Sequence, residues 1–327
     1  MSNFDQRDAL RWLLALVGFV SVAWCSDYAL TYGVIANSET IDAARIVRLT
    51  KNNPGESPVF GASKAQANYI PEYLGLSSFN YGMGAASFEV VDAFLKIELK
   101  KQSTAPVILD MHHHSFHGIG DPTKFIPHAH RPEIRTALQR DGSMKWRYLL
   151  PGFRYFGHYD SFLKDFVNEQ CQITRRTECG YTHVLNPLPQ NRELFELLVQ
   201  RRLSAPSGFR SDPDHDERLI RHIKSAPHRH FIIVFSPLHG SWFEHFTGED
   251  EFAKYIDELD SFANVSVLNM LQLPFPDEYF LDTGHLNETG AKEFSLRLGV
   301  EIRKVLDDRS TRFPSEVAER SSQDTSS

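Results

Sequence analysis

Ser57-Pro58-Val59-Phe60-Gly61-Ala62-Ser63-Lys64-Ala65 decides the fold class. A short apolar strand, Ser57 to Phe60, is broken by Gly61, and Ser63 stands where a helix can begin. That helix is expected over Ala65 to Leu74, interrupted at Pro71. The alternation recurs along the chain. Strands are predicted at 78–81, 106–109, 230–235 and 265–268, and helices at 87–101, 250–262 and 287–306. Strands alternating with helices predict a parallel sheet covered on both faces. Ligands in such sheets bind beyond the carboxyl ends of the strands, where Ser63 falls.

The chain has 327 residues and a formal charge of -7, so a sizeable core is available and the surface is mildly acidic. Binding to nucleic acid needs clustered Lys and Arg, and this balance argues against it. Before the sheet, Trp12 to Ser26 carries no charge, Asp27 interrupts the run, and Tyr28 to Ser38 is again uncharged. The central run is short for a bilayer span but suits a signal anchor or signal peptide, and a buried helix of a soluble protein also fits it. Arg7 and Arg11 precede it, which keeps the N-terminus cytoplasmic and exports the rest. The expected organisation is a membrane anchor or signal segment at 1–35 and a polar linker at 36–56. A domain follows at 57–308 with a large insertion at 111–225, and then a disordered tail at 309–327. Helix-like stretches within the insertion fall at 160–169 and 191–203. Cys171 and Cys179 could form a disulfide or stay as thiols.

Two stretches carry candidate chemistry. Ser63 at a helix N-terminus sits beside unpaired backbone N–H groups able to stabilise an oxyanion, although a serine there also serves as a simple helix cap. Phe280-Leu281-Asp282-Thr283-Gly284-His285-Leu286-Asn287 places Asp and His three apart before a helix. The Asp would orient the imidazole, and the His would take the serine proton and deliver it to a leaving group.

Together these blocks resemble the SGNH (GDSL-like) hydrolase superfamily, and the resemblance spans roughly residues 57–307. Gly61-Ala62-Ser63-Lys64-Ala65 is similar to the first block, and Asp282 to Asn287 to the last. Asn80-Tyr81-Gly82-Met83-Gly84 resembles the second block, which implies that Gly82 N–H joins Ser63 N–H in the oxyanion hole. The resemblance implies a flavodoxin-like three-layer α/β/α fold with a five-stranded parallel sheet and an insertion after the third strand. It also implies a Ser63–His285–Asp282 triad with no cofactor and no metal. The third block departs: Asp110-Met111-His112-His113-His114-Ser115 stands where the family carries an oxyanion-donating Asn. The closer likeness is to a membrane-anchored branch that accompanies bacterial surface polysaccharide assembly. That implies an esterase or acetyltransferase at the inner membrane, single-pass, facing the periplasm or exterior. Its partners would be an acylated glycan or acyl donor and polysaccharide-assembly proteins.

Other candidates surround this set. His112, His113 and His114, with His117, His128 and His130 nearby, could line the substrate site or hold a metal with Asp110 or Asp121. Lys64 could hold an anionic group, Asn80 could touch substrate, and His239 could line the pocket or face solvent. Two other functions fit the same residues: a non-catalytic glycan-binding or scaffold protein, and a His-rich hydrolase acting through metal-activated water.

Overall fold

The computed structural model describes residues 6–38, 42–51, 53–84, 86–111, 122–171, 177, 179–182, 192–205 and 207–312. The chain forms two compact units, each assembled from three segments. One comprises Met1–Asn52, Ser87–Lys100 and His117–Glu178. The other comprises Asn53–Ala86, Lys101–Phe116 and Cys179–Ser327.

The second unit holds the sheet. Its strands are β1 (Ser57–Phe60), β2 (Ser78–Asn80), β3 (Val107–Asp110), the two-residue β4 (Ser207–Gly208), β5 (Phe231–Phe235), the two-residue β6 (Phe246–Thr247) and β7 (Val265–Asn269). Five of them form one parallel sheet in the order β2-β1-β3-β5-β7, and β4 pairs with β6 separately. This is the flavodoxin-like strand order. The strands β1, β3 and β5 are short, largely apolar runs buried throughout, as a sheet covered on both faces requires.

Across all units the helices run α1 (Gln6–Tyr28), α2 (Asp42–Thr50), α3 (Ser63–Asn68), α4 (Phe88–Glu98), α5 (Pro132–Arg140), α6 (Tyr159–Gln170), α7 (Arg192–Leu203), α8 (Pro213–Ser225), α9 (Glu249–Asp260) and α10 (Glu288–Arg312). In the sheet unit, Val59, Ile108, Ile232 and Val234 pack against Ala65 of α3 and Ala291, Phe294, Leu298 and Ile302 of α10. Side chains alternate along a strand, so Phe235 points to the other face. There it meets Phe252 of α9 edge-on, with ring centroids 4.9 Å apart. The buried Asn264 amide donates to the carbonyls of Ile223, Ala226 and Arg229, closing the end of α8.

The other unit begins with α1. Helical backbone continues past it, and Arg7–Asn37 is long and apolar enough to cross a membrane. Thirty-one residues reach about 46 Å at 1.5 Å rise per residue. The sequence expectation of a short run stopped at Asp27 is corrected here. Asp27 is buried, and its carboxylate accepts from Arg154 Nε at 2.8 Å and Gly152 N at 3.0 Å. A neutralised Asp need not end a helix.

The linker expected at 36–56 is also corrected. Residues 42–50 form α2, because Ala43, Ala44, Ile46 and Leu49 recur at helical spacing and are all buried. Around it, His128 Nε2 is hydrogen-bonded to the Ala43 carbonyl at 2.9 Å, and Lys124 pairs with Asp42 at 3.0 Å. The stretch 111–225 contains α5 and α8 besides the two expected helical stretches. α10 runs to Arg312, past the start expected for the tail. The remaining tail, 313–327, lies outside the described residues. Cys171 is a free thiol, so a Cys171–Cys179 bridge does not form in this structure.

Candidate functional site

β1 ends at Phe60, and two residues later the chain turns into α3 at Ser63. Gly61 makes this turn possible. A Cβ there would lie 2.7 Å from Ala65 Cβ and 2.9 Å from Asp110 Cβ, so no larger residue fits between α3 and β3. Ser63 occupies the first turn of α3, whose amides have no acceptor within the helix.

The last block returns to the same place across 222 residues of sequence. His285 Nε2 lies 2.8 Å from Ser63 Oγ. His285 Nδ1 lies 2.9 Å from Asp282 Oδ2 and 3.0 Å from Oδ1. Asp282 Oδ1 also accepts from the backbone N–H groups of Gly284 and His285, each at 2.8 Å. Burial pushes the Asp282 carboxyl up, but the His285 hydrogen bond and charge and the two N–H groups outweigh it and hold the carboxyl below its ordinary value. The carboxylate is therefore ionised near neutral pH. It fixes the proton of His285 on Nδ1, leaving Nε2 to accept from the serine hydroxyl.

Several contacts hold the Asp282–His285 loop. Asn68, at the end of α3, accepts from Leu286 N at 2.9 Å through Oδ1, which ties the loop to the helix that carries Ser63. The Thr283 carbonyl accepts from His239 N at 3.1 Å and Trp242 Nε1 at 2.7 Å. The Trp242 ring lies under the Arg202 guanidinium at 3.8 Å.

Four other sequence candidates have polar groups engaged by partners within the protein. Asn80 is fully buried, and its amide nitrogen donates to the carbonyls of Ala65 and Tyr69 while its oxygen accepts from Gly82 N at 2.9 Å. Its polar capacity is used inside the fold, so it is not a substrate contact here. The same bond corrects the expectation for Gly82: its N–H is directed at Asn80 and not at an open oxyanion position. Gly82 still has a steric role, since a Cβ there would meet Gln66 N at 2.5 Å.

Lys64 is buried too, with Nζ donating to the Ser236 carbonyl at 3.2 Å, so it presents no charge to solvent or to a ligand. His239 is largely buried and both of its ring nitrogens are engaged. Its Nε2 lies 3.0 Å from Asp277 Oδ1, its Nδ1 lies 2.9 Å from Ser241 Oγ, and its ring packs edge-on against Phe195 and Phe280. His112, His113 and His114 lie outside the described residues, as do His117 and Asp121.

Beneath Ser63 the structure assembles a buried polar group that sequence spacing does not announce. Asp110, at the end of β3, accepts from Tyr69 Oη at 2.7 Å, and the Ser236 hydroxyl lies beside it without a well-formed hydrogen bond. Burial pushes the Asp110 carboxyl up, while the Lys64 charge and the neighbouring hydroxyls pull it back. Burial likewise pushes the Lys64 ammonium down, opposed by Asp110. The one signal in the sequence was Asp110 at a strand end, which pointed to the sheet edge but not to Lys64.

No family model and no curated protein matches this chain. Among solved structures, the chain is similar to one from Streptococcus pneumonia described provisionally as a platelet activating factor. The TM-score is 0.35 and the identity 10%, over 91% of this chain and 99% of that one. A likeness of that size carries no argument about this chain's activity.

Proposed function

We propose that this chain is a serine esterase or O-acyltransferase of the SGNH type, with Ser63 as nucleophile, His285 as general base and acid, and Asp282 as its orienting carboxylate. One observation carries the proposal: a single imidazole spans Ser63 Oγ at 2.8 Å and the Asp282 carboxylate at 2.9 Å, at the carboxyl end of a parallel sheet. The segment Asp110 to Ser115 after β3 carries no Asn where the family has its amide donor, so the third oxyanion group would differ from the family's.

In the reaction, Ser63 Oγ attacks the acyl carbonyl carbon as its proton passes to His285 Nε2. The imidazolium forms against Asp282 and then gives that proton to the departing alkoxide, leaving an acyl-serine and a free hydroxyl. Water or a sugar hydroxyl attacks next, His285 takes its proton, and Ser63 leaves with that proton restored to Oγ. Water yields an esterase, and a sugar hydroxyl yields a transferase. The N–H of Ser63 is a donor to the oxyanion of both steps.

The proposed substrate is an acylated glycan of the bacterial cell surface, and the proposed setting is the exported side of the inner membrane with the N-terminal helix as a single-pass anchor. The supports are the apolar helix, the arginines before it and the resemblance of the sequence blocks. A non-catalytic glycan-binding protein is the second reading, favoured by the engagement of Gly82 N–H with Asn80.

The test uses the full chain in detergent or nanodiscs. Acetyl release from p-nitrophenyl acetate and from an acetylated oligosaccharide is compared between wild type, Ser63→Ala and His285→Ala. Labelling by a fluorophosphonate is followed in parallel. Loss in both variants by about 10³-fold or more, with labelling lost in Ser63→Ala, supports the triad. Activity that survives Ser63→Ala sinks the nucleophile. A folded wild type that neither turns over nor labels moves the chain to the binding reading.

A further inference from the structure

The unit that contains α1 exposes large apolar side chains outside that helix. Between the end of α5 and the start of α6, Trp146 is 75% exposed and Phe156 64%, with Leu149 and Leu150 also exposed. Scattered exposed apolar residues need no explanation, but these belong to one eleven-residue stretch, Trp146 to Phe156, with a fixed position beside α1.

Three contacts fix that position. The Phe153 ring lies 6.2 Å from the ring of Phe19. Gly152, at φ +86°, lies so close to α1 that a Cβ on it would be 3.1 Å from the Ala23 carbonyl carbon and 3.2 Å from Ala23 Cβ. Asp27 then accepts from Gly152 N and Arg154 Nε. Gly152, Phe153 and Arg154 therefore contact α1 between Phe19 and Asp27. Eight residues at 1.5 Å rise make this about 12 Å of helix axis. Phe19 is midway between Arg11 and Asp27, within the uncharged part of the apolar helix. If α1 crosses a bilayer, a segment that touches Phe19 is at hydrocarbon depth.

The chemistry of the stretch suits that depth. Lipid leaves no water for backbone groups, so they must be satisfied within the protein. The amides of Tyr148, Leu150, Phe153, Arg154, Phe156 and His158 donate to the carbonyls of Lys145, Arg147, Leu150, Leu150, Phe153 and Tyr155, and Gly152 N donates to Asp27. The Arg154 charge is met by Asp27 at 2.8 Å. The Thr31 and Tyr155 hydroxyls share one hydrogen bond at 2.6 Å. At the near end, exposed Trp146 stands between Lys145 and Arg147, an aromatic flanked by cations of the kind found where hydrocarbon meets headgroups.

We propose that Trp146 to Phe156 is a second membrane element, a turn-rich segment that enters the same leaflet as the C-terminal half of α1 and is covered by lipid acyl chains. It would make the anchor two-part: a spanning helix and a wedge clamped to it by Gly152, Asp27 and Arg154. The inference rests on α1 lying in the bilayer and is independent of the esterase assignment.

The test is spin-label accessibility on the full chain in phosphatidylcholine–phosphatidylglycerol nanodiscs. Cys25, Cys171 and Cys179 are first replaced by Ser, and single labels are then placed through Val22→Cys, Leu149→Cys, Phe156→Cys and, as an aqueous reference, Gln139→Cys. The Val22 label reports whether α1 is in lipid. With that label favouring oxygen over a nickel chelate, labels at 149 and 156 should favour oxygen too, several-fold above the label at 139. A nickel-favoured pattern at both 149 and 156 overturns the wedge while leaving the anchor standing. Labels there that are immobile and shielded from both reagents would mean cover by a second copy of the chain, which also overturns lipid as the occupant. A nickel-favoured label at Val22 removes the anchor itself, and the wedge with it.

Discussion

Replacing Lys64 by Met tests whether the charges beneath Ser63 are held as a pair. Both Lys64 and Asp110 are buried, and once the Lys64 charge is gone Asp110 is left, among the described residues, with the Tyr69 hydroxyl and the neighbouring Ser236 hydroxyl. Removing one member of a buried pair leaves an uncompensated charge, which costs about 3–5 kcal/mol. For a unit of this size, that corresponds to a melting temperature lower by about 6–20 °C. The pH dependence gives the sharper signature. Burial already raises the Asp110 carboxyl, and Lys64 opposes that rise, so its pKa in the variant lies higher still. A carboxyl whose folded pKa exceeds its unfolded value is protonated in both states at low pH, where folding loses nothing. Stability is lost as pH rises from the unfolded to the folded value, because the unfolded state ionises there while the folded state still holds its proton. The deficit of Lys64→Met should therefore be large at pH 8 and shrink towards pH 5. Lys64→Met with Asp110→Asn should recover most of it at pH 8. Thermal unfolding of the three proteins in one detergent, at both pH values, reads this out. A deficit equal at pH 5 and pH 8, or a double variant no better than the single, would refute the pairing argument.

Two further substitutions separate placement from chemistry. Gly82→Ala should lower stability by about 1–3 kcal/mol, because its Cβ meets the α3 backbone at Gln66 N and must displace the helix that carries Ser63. Acetyl release should fall with it, and an unchanged melting temperature would show that α3 yields without strain. Trp242→Phe removes the 2.7 Å bond to the Thr283 carbonyl but keeps a ring for Arg202. It should cost about 1 kcal/mol of stability. Thr283 lies between Asp282 and His285, so kcat should drop several-fold with KM unchanged. An effect on KM alone would place Trp242 against substrate instead.

The main strands and the Asp282–His285 pair were legible in the sequence for local reasons. Val107 to Asp110 and Phe231 to Phe235 are continuous apolar runs, and residues three apart before a helix share a turn. Helix α8 was missed because its apolar positions are few among charges, although Asp212 capping Asp214 N and His215 N, followed by Pro213, was a usable start signal. Helix α2 was missed because nine residues between polar stretches look like linker unless the spacing of Ala43, Ala44, Ile46 and Leu49 is weighed. The fates of Lys64, Asn80 and His239 were not legible at all. Each is decided by partners brought up by the fold: Ser236 for Lys64, the α3 carbonyls for Asn80, and Asp277 for His239. A polar residue next to a nucleophile has the same appearance in sequence whether it faces substrate or the core.

The division of the chain bears on how the activity should be sought. Because one segment of the α1 unit is Met1–Asn52, a cut at Asn53 leaves that unit incomplete, while all three segments of the sheet unit remain. A chain beginning at Asn53 loses Asp27, Thr31, Asp42 and the Ala43 carbonyl, and so strands Arg154, Tyr155, Lys124 and His128. His128 is the informative member. Burial, with help from the nearby Arg131, His130 and Arg154 charges, pushes its imidazole down to about 3, against the pull of its bond to Ala43. Its unfolded value is about 6.5. A histidine held neutral in this way binds its proton first in the unfolded state. The full chain should then keep this contribution above the unfolded value and lose about 1.4 kcal/mol per pH unit as pH falls from there towards 3. In the truncated chain the ring is free to protonate, and that acid sensitivity should vanish along with the protection it reports. Hydrogen exchange at pH 7 should show α5 and residues 122–128 opening in the truncated chain while β3 and β5 stay protected. If α5 exchanged as slowly without residues 1–52 as with them, α2 and its carbonyl would be ornaments of that unit, and the N-terminal segment could be removed without consequence for the fold.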